Sequence, residues 1–200
     1  MNFIGTAKRL DDIDLPKIGK LIGVGEDEIH AVIDTETRGT GFDSKNRPII
    51  LFEPHIFHKQ LSAHKPELLK SAINQGLAYK SWGTKKYPKD SYPVLEQAIL
   101  INEELALRSA SWGLGQIMGF NHSMAGYASA KEMVEKFKED EEDHLLAMVR
   151  FIVSAGLDDE LRRHDWRGFA RGYNGAGFAK NQYDVKLAVA YARWMEIKDT

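Results

Sequence analysis

The sequence predicts a mainly helical α+β fold, with seven or eight helices arranged around one small β-hairpin. Apolar residues recur at i, i+3 and i+4 through most of the 200 residues, the spacing of one helical face. One stretch, Arg38 to Glu53, breaks that pattern with glycines, a polar turn cluster and a short isoleucine-rich run, a combination that reads as a hairpin. No repeat, low-complexity tract or apolar run of membrane-spanning length interrupts the rest.

Taken in order, residues 1–24 read as a helical lead-in, with Asp14 as cap, Pro16 near the first turn and Ile18, Leu21 and Ile22 as its apolar stripe. Residues 25–200 read as one globular unit, on whose first helix the lead-in packs. After Gly25 an acidic first turn (Glu26, Asp27, Glu28) opens that helix, and Ile29, Val32 and Ile33 share a face. The next position on that face is Glu36. A carboxylate where the pattern calls for another Ile or Val is desolvated, and in the last turn it meets the negative end of the helix dipole. Both effects favour the protonated acid.

Gly41 to Asn46 form the turn cluster, and Arg47 to Glu53 the second strand, with Pro48 marking an edge. Glu53 shares a strand face with Ile49 and Leu51, and Pro54 at once opens a new helix (Ile56, Phe57, Leu61). Glu53 therefore lies at a helix N-terminus, where the dipole favours an ionised carboxylate. Two glutamates pushed in opposite directions are the pattern by which acid and base roles are assigned.

Residues 62–92 combine Lys65, Lys70, Lys80, Lys85, Lys86 and Lys89 with Tyr79, Trp82, Tyr87 and Tyr92. This is either a solvated loop after one helix or the border of a groove for an anionic, ring-bearing polymer. Pro93 to Arg108 reads as one long helix. Ser109 to Asn121 then packs two serines, three glycines, Trp112, Gln116 and Asn121 into a short span. Glycines let a backbone approach a ligand closely, and amides can bond the acetamido and hydroxyl groups of a sugar; a tight helix corner explains the same composition. Ser129 and Glu132 form a capping box, a second long helix runs to Gly156, and the acidic run Glu139 to Asp143 reads as a solvated face. Asp165 caps a short helix leading into Gly172-Tyr173-Asn174-Gly175, and Asp184 caps the last one.

Composition narrows the class. Hydrophobic content of 43%, charged content of 28% and a net charge of −2 give no reason to expect nucleic acid or an anionic membrane as partner. With no cysteine, disulfides and cysteine nucleophiles are excluded. The N-terminus has no apolar core after its charges, so no signal peptide is expected. His30, His55 and His58 lack the spacing of a metal site, and neither a metal nor a cofactor is expected.

A glutamate ending a helix before a hairpin, then Gly113-Leu114-Gly115-Gln116, then Gly172-Tyr173-Asn174, resembles the lysozyme superfamily, including goose-type lysozymes and lytic transglycosylases. The string Ile50-Leu51-Phe52-Glu53-Pro54-His55-Ile56-Phe57, with Ser109-Ala110-Ser111-Trp112-Gly113 and Gln116-Ile117-Met118-Gly119-Phe120-Asn121, is similar to the N-acetylmuramidase family of phage endolysins. The resemblance spans about residues 25 to 195. It implies a lysozyme-like fold and cleavage of the β-1,4 bond between N-acetylmuramic acid and N-acetylglucosamine in peptidoglycan glycan strands. Glu36 would be the acid, and Glu53 the base or the stabiliser of the transition state, with Asp43 in reserve. Gln116, Asn121, Tyr173 and Asn174 would orient the glycan, Ser109 or Ser111 would hold the water, and Tyr173 alternatively braces Glu36. Many members add a wall-binding domain for which this chain is too short, so affinity would come from the groove. The expected agent is a monomer that waits in the host bacterial cytoplasm and reaches the wall through a membrane pore, without inserting into the membrane itself. Three other readings stay open: a lytic transglycosylase leaving anhydro-muramic ends, a chitinase, and a non-catalytic wall-binding protein in which Glu36 is merely ion-paired to Arg38 or another arginine.

Overall fold

The computed structural model describes residues 2–11, 13–37 and 39–198, with Thr37 and Lys198 described by backbone alone. Among these residues run eleven α-helices and three short strands. In chain order they are α1 (Asp14–Gly19), α2 (Glu26–Thr37), β1 (Ile50–Phe52), α3 (Pro54–His64), α4 (Pro66–Asn74), α5 (Tyr92–Ile101) and α6 (Glu103–Arg108). Then follow β2 (Ala110–Trp112), β3 (Ile117–Met118), α7 (Ala130–Phe137), α8 (Glu141–Ser154), α9 (Asp158–Arg162), α10 (Trp166–Asn174) and α11 (Tyr183–Lys198). The expected α+β class holds, and α1 packs on α2.

The helices outnumber the expected seven or eight because local chemistry divides long periodic stretches. Pro66 starts α4 immediately after α3, since proline tolerates a first helical position and no interior one. The Asn102 side chain accepts the Leu105 N–H at 2.9 Å, so the stretch from Pro93 to Arg108 is two helices. Asp140 accepts the Glu142 N–H at 2.8 Å and starts α8. The caps at Ser129 and Asp165 form as expected, on the N–H of Glu132 and of Gly168; such a cap contributes about 1 kcal/mol. Asp14 and Asp184 are not caps but lie in the first turns of α1 and α11.

The sheet also differs from the expected hairpin. Phe42 and Pro48 make one isolated bridge across the turn, and β1 instead pairs antiparallel with β2, setting Ile50 opposite Trp112 and Phe52 opposite Ala110. β2 turns through Gly113–Gln116 into β3. Thus the serine- and glycine-rich stretch is the central strand and its turn. Gly113 has φ of +67°, and a Cβ there would stand 2.6 Å from His144 Nδ1, so only glycine fits.

Two apolar cores flank this sheet. One gathers Phe52, Phe57, Leu61, Leu95, Trp112 and Phe137, and the other gathers Ile29, Val32, Leu145, Met148, Phe169 and Leu187 from α2, α8, α10 and α11. Tyr173 packs against both and marks the seam. Glu141, expected on a solvated face, is buried beneath the N-terminal segment. Its carboxylate accepts the Arg9 guanidinium at 2.9 Å and the N–H groups of Leu10 and Gly41 at 3.0 and 2.8 Å. A buried carboxylate with every oxygen engaged carries no uncompensated charge.

His144 is fully buried, with Nε2 donating to the Phe137 carbonyl at 2.6 Å and Nδ1 accepting the Leu114 N–H at 3.3 Å. Burial lowers its pKa from 6.5 to about 4. Below pH 6.5 the unfolded chain takes up a proton that the folded one refuses, so stability falls as pH drops from 6.5 to about 4, by up to about 3 kcal/mol. Denaturant titrations at pH 7 and pH 5 check this: His144→Gln lowers stability at pH 7 and flattens the difference between the two.

Candidate active site

Glu36 ends the apolar face of α2 and sits at the seam, mostly covered. Its Oε1 accepts a hydrogen bond from Asn174 Nδ2 at 2.7 Å. Burial raises the carboxyl pKa to about 7, opposed by the Asn174 bond and by the charge of Lys186 on α11. No ion pair to Glu36 forms among the described residues, and Arg38 lies outside them. Oε1 receives the amide, which leaves Oε2 the better placed oxygen to carry the acidic proton.

Neighbouring elements hold this acid in place. The Tyr173 hydroxyl donates to the Gly115 carbonyl at 2.7 Å, not to Glu36. A Cβ on Gly115 would meet that hydroxyl at 2.8 Å and Met148 at 2.9 Å, so the second glycine of Gly113-Leu114-Gly115-Gln116 is needed for close approach. The two motifs separated by many residues therefore meet here. Their contact joins the sheet to the end of α10, where Asn174 reaches Glu36. α11 closes the far side of α2: Trp194 stacks on His30 at 3.7 Å and donates to Asp34 at 2.6 Å, and Arg193 also pairs with Asp34.

Glu53 is the residue before α3, its N–H bonded to the Ser109 carbonyl at 2.9 Å. Its Oε2 accepts the Tyr87 hydroxyl and lies 3.1 Å from His55 Nδ1, while Oε1 makes no hydrogen bond among the described residues. Burial pushes its pKa up, against the bonds from Tyr87 and His55. The helix dipole alone would lower it; the loop carrying Tyr87 covers the carboxylate, and the desolvation moves the pKa the other way.

Asp43 is engaged elsewhere. It accepts the N–H groups of Lys45 and Arg47 and forms a two-toothed ion pair with the Arg47 guanidinium at 2.9 and 2.7 Å. That holds the turn and leaves no carboxylate free for a reserve role. Ser109 is buried and donates to the Leu105 carbonyl at 2.6 Å. Ser111 donates to Gln116 Oε1 at 2.8 Å, and Gln116 Nε2 donates to the carbonyls of Ile49 and Gly113 at 3.2 and 2.9 Å. Ser109 is thus committed to the end of α6, and Ser111 and Gln116 to the sheet and its turn. Asn121 lies on the 3-10 turn after β3, with its side chain unbonded among the described residues, and nothing joins it to Glu36. Tyr87 and His55 were not singled out as partners of Glu53; Tyr87 belongs to the Lys- and Tyr-rich stretch already noted. No group of three metal-binding side chains occurs, and no helix is long and apolar enough to cross a membrane, among the described residues.

Lys186→Met removes a cation that favours ionised Glu36, so the alkaline limb of a kcat/KM profile moves to higher pH. Turnover of solubilised wall fragments from pH 5 to 9 checks the direction.

A mostly buried carboxyl with pKa near neutrality suits a general acid, and a carboxylate with one oxygen unbonded among the described residues suits a base. The family model for N-acetylmuramidase matches residues 26–195. Among solved structures, the endolysin of the Burkholderia phage AP3 superposes with a TM-score of 0.82 at 34% identity, covering 94% of this chain and 73% of that one. No curated protein matches. On the extent of the family match, this chain belongs to the N-acetylmuramidase family, whose members hydrolyse the glycan of peptidoglycan.

Proposed function

We propose that this peptidoglycan glycosidase is a lysozyme-type muramidase, acting on the β-1,4 bond that follows N-acetylmuramic acid, with Glu36 as general acid and Glu53 as general base. The observation that carries the reading is Glu36 itself: mostly buried, bonded by one neutral amide, and raised to a pKa of about 7. Such a group keeps its proton near neutral pH and can still release it.

Glu36 Oε2 delivers its proton to the glycosidic oxygen as the bond to the anomeric carbon breaks. Glu53 Oε1, left free while Tyr87 and His55 hold Oε2, accepts a proton from the water that adds to that carbon. Asn174 keeps the Glu36 carboxyl oriented through both steps. Its Oδ1 is buried without a partner, which suits it to accept a hydrogen bond from a sugar N–H or hydroxyl. The protein acts as a monomer and, as an endolysin, reaches the wall after synthesis in the host cytoplasm.

Mass spectrometry of fragments released from purified peptidoglycan tests the reaction. The expected products end in reducing N-acetylmuramic acid. Anhydro-muramic ends instead would mean a transglycosylase that uses no water and has no need of Glu53.

A further inference from the structure

Two cavities lie beside the catalytic elements, and their charges are opposite. The larger, about 630 Å³, is bordered by Asp11, Glu26, Asp27, Asp34 and Glu141 against Arg9 and His30, an excess of carboxylates that disfavours an anionic strand. The smaller, about 250 Å³, opens between the start of α3 and the loop from Gly76 to Ser91, and no Asp or Glu lines it.

That smaller pocket adjoins Glu53, since its chain neighbours Phe52 and Pro54 and its partners His55 and Tyr87 line it. Aromatic rings supply its apolar surface. Trp82 is 61% exposed. Lys180, from the turn after α10, stands 5.2 Å from the Trp82 ring centre, and Lys85 stands 5.1 Å from that of Tyr79. Lys85 and Lys86 line the rim, and neither forms an ion pair among the described residues. A protein with a net charge of −2 thus presents, next to its second carboxylate, aromatic rings and lysines that form no ion pair among the described residues.

We propose that this pocket is a substrate subsite for a peptide-bearing N-acetylmuramyl unit: the sugar ring lies on Trp82, and the carboxylates of the peptide stem meet Lys85 and Lys86. The inference rests on the catalytic reading of Glu36 and Glu53 and adds to it the recognition of the stem. A pyranose ring has one apolar C–H face that matches an indole. Carboxylates on a flexible peptide suit lysine, a mobile point charge without a fixed fork. A neutral polymer such as chitin makes no use of the lysines.

The test compares two soluble substrates from one preparation, glycan strands with intact stems and the same strands stripped of peptide by an amidase. The wild-type protein is expected to favour the peptide-bearing strands in kcat/KM, and to lose that preference as salt is raised. In Lys85→Gln/Lys86→Gln the ratio of kcat/KM between the two substrates falls by about three- to tenfold, carried by KM, as expected for two exposed ion pairs. Trp82→Ala raises KM for both substrates. Equal use of the two substrates by the wild type, or an unchanged ratio in the double variant, overturns the proposal. Failure of the catalytic reading is distinct: Glu36→Gln, assayed alongside, would then still cleave both substrates.

Discussion

Glu36→Gln is expected to lose wall hydrolysis by about 10³-fold, within the range for removing a general acid, and at the same time to gain stability at alkaline pH. Glutamine keeps the shape and the hydrogen bond from Asn174 but has no proton to deliver. The stability gain follows from the same burial. The folded-state pKa is about 7 against an ordinary 4.5, so the folded protein holds a proton that the unfolded chain gives up between those values. Stability therefore falls as pH rises from 4.5 to 7, and above 7 the wild type carries the full cost of a desolvated carboxylate, at most about 3 kcal/mol. Glutamine escapes that cost. Thermal melts at pH 8.5 should place the variant above the wild type, with the gap closing near pH 4.5. Loss of activity together with loss of stability at pH 8.5 would point to a structural role.

Glu53→Gln is expected to slow turnover by about 10²-fold while leaving wall binding intact. Its carboxylate is anchored through Oε2 alone, so the substitution perturbs few contacts. Azide needs no deprotonation before it attacks a carbon, and adding it to Glu53→Gln should restore cleavage with a glycosyl azide as product. A variant that stops binding the wall would make Glu53 a substrate contact. The pH profile carries the same assignment. With the proposed roles, Glu53 acts ionised and Glu36 protonated, and both pKa values are raised. Activity therefore falls below an acid limb set by Glu53, above the ordinary carboxylate range, and above an alkaline limb near pH 7 set by Glu36.

The parts legible in the sequence are those fixed by local rules. Helical spacing located α2 and put Glu36 on its apolar face, Pro54 marked the start of α3 and so the position of Glu53, and Ser129 and Asp165 cap as their chemistry dictates. What was not legible depends on partners distant in the chain. The strand after Pro48 looked like half of a hairpin because its turn is local, yet its neighbour is β2, recruited from the far side of four intervening helices by the burial of Trp112. Glycines and amides around Gln116 suggested a ligand, whereas the amide closes the β2–β3 turn and the glycine admits Tyr173. Glu141 looked solvated within an acidic run because Arg9, Leu10 and Gly41, which bury it, lie far away in sequence. The direction of the Glu53 shift could not be read for the same reason: the dipole at its helix is local, and the loop bearing Tyr87 is not.

The acid role requires the Glu36 carboxyl to retain its proton near neutrality. Carbon-13 NMR titration of protein labelled at glutamate side-chain carboxyls, with Glu36 assigned by its absence in Glu36→Gln, measures this directly. A midpoint near 7 is the predicted result, and a midpoint near 4.5, that of an ordinary exposed glutamate, would contradict it.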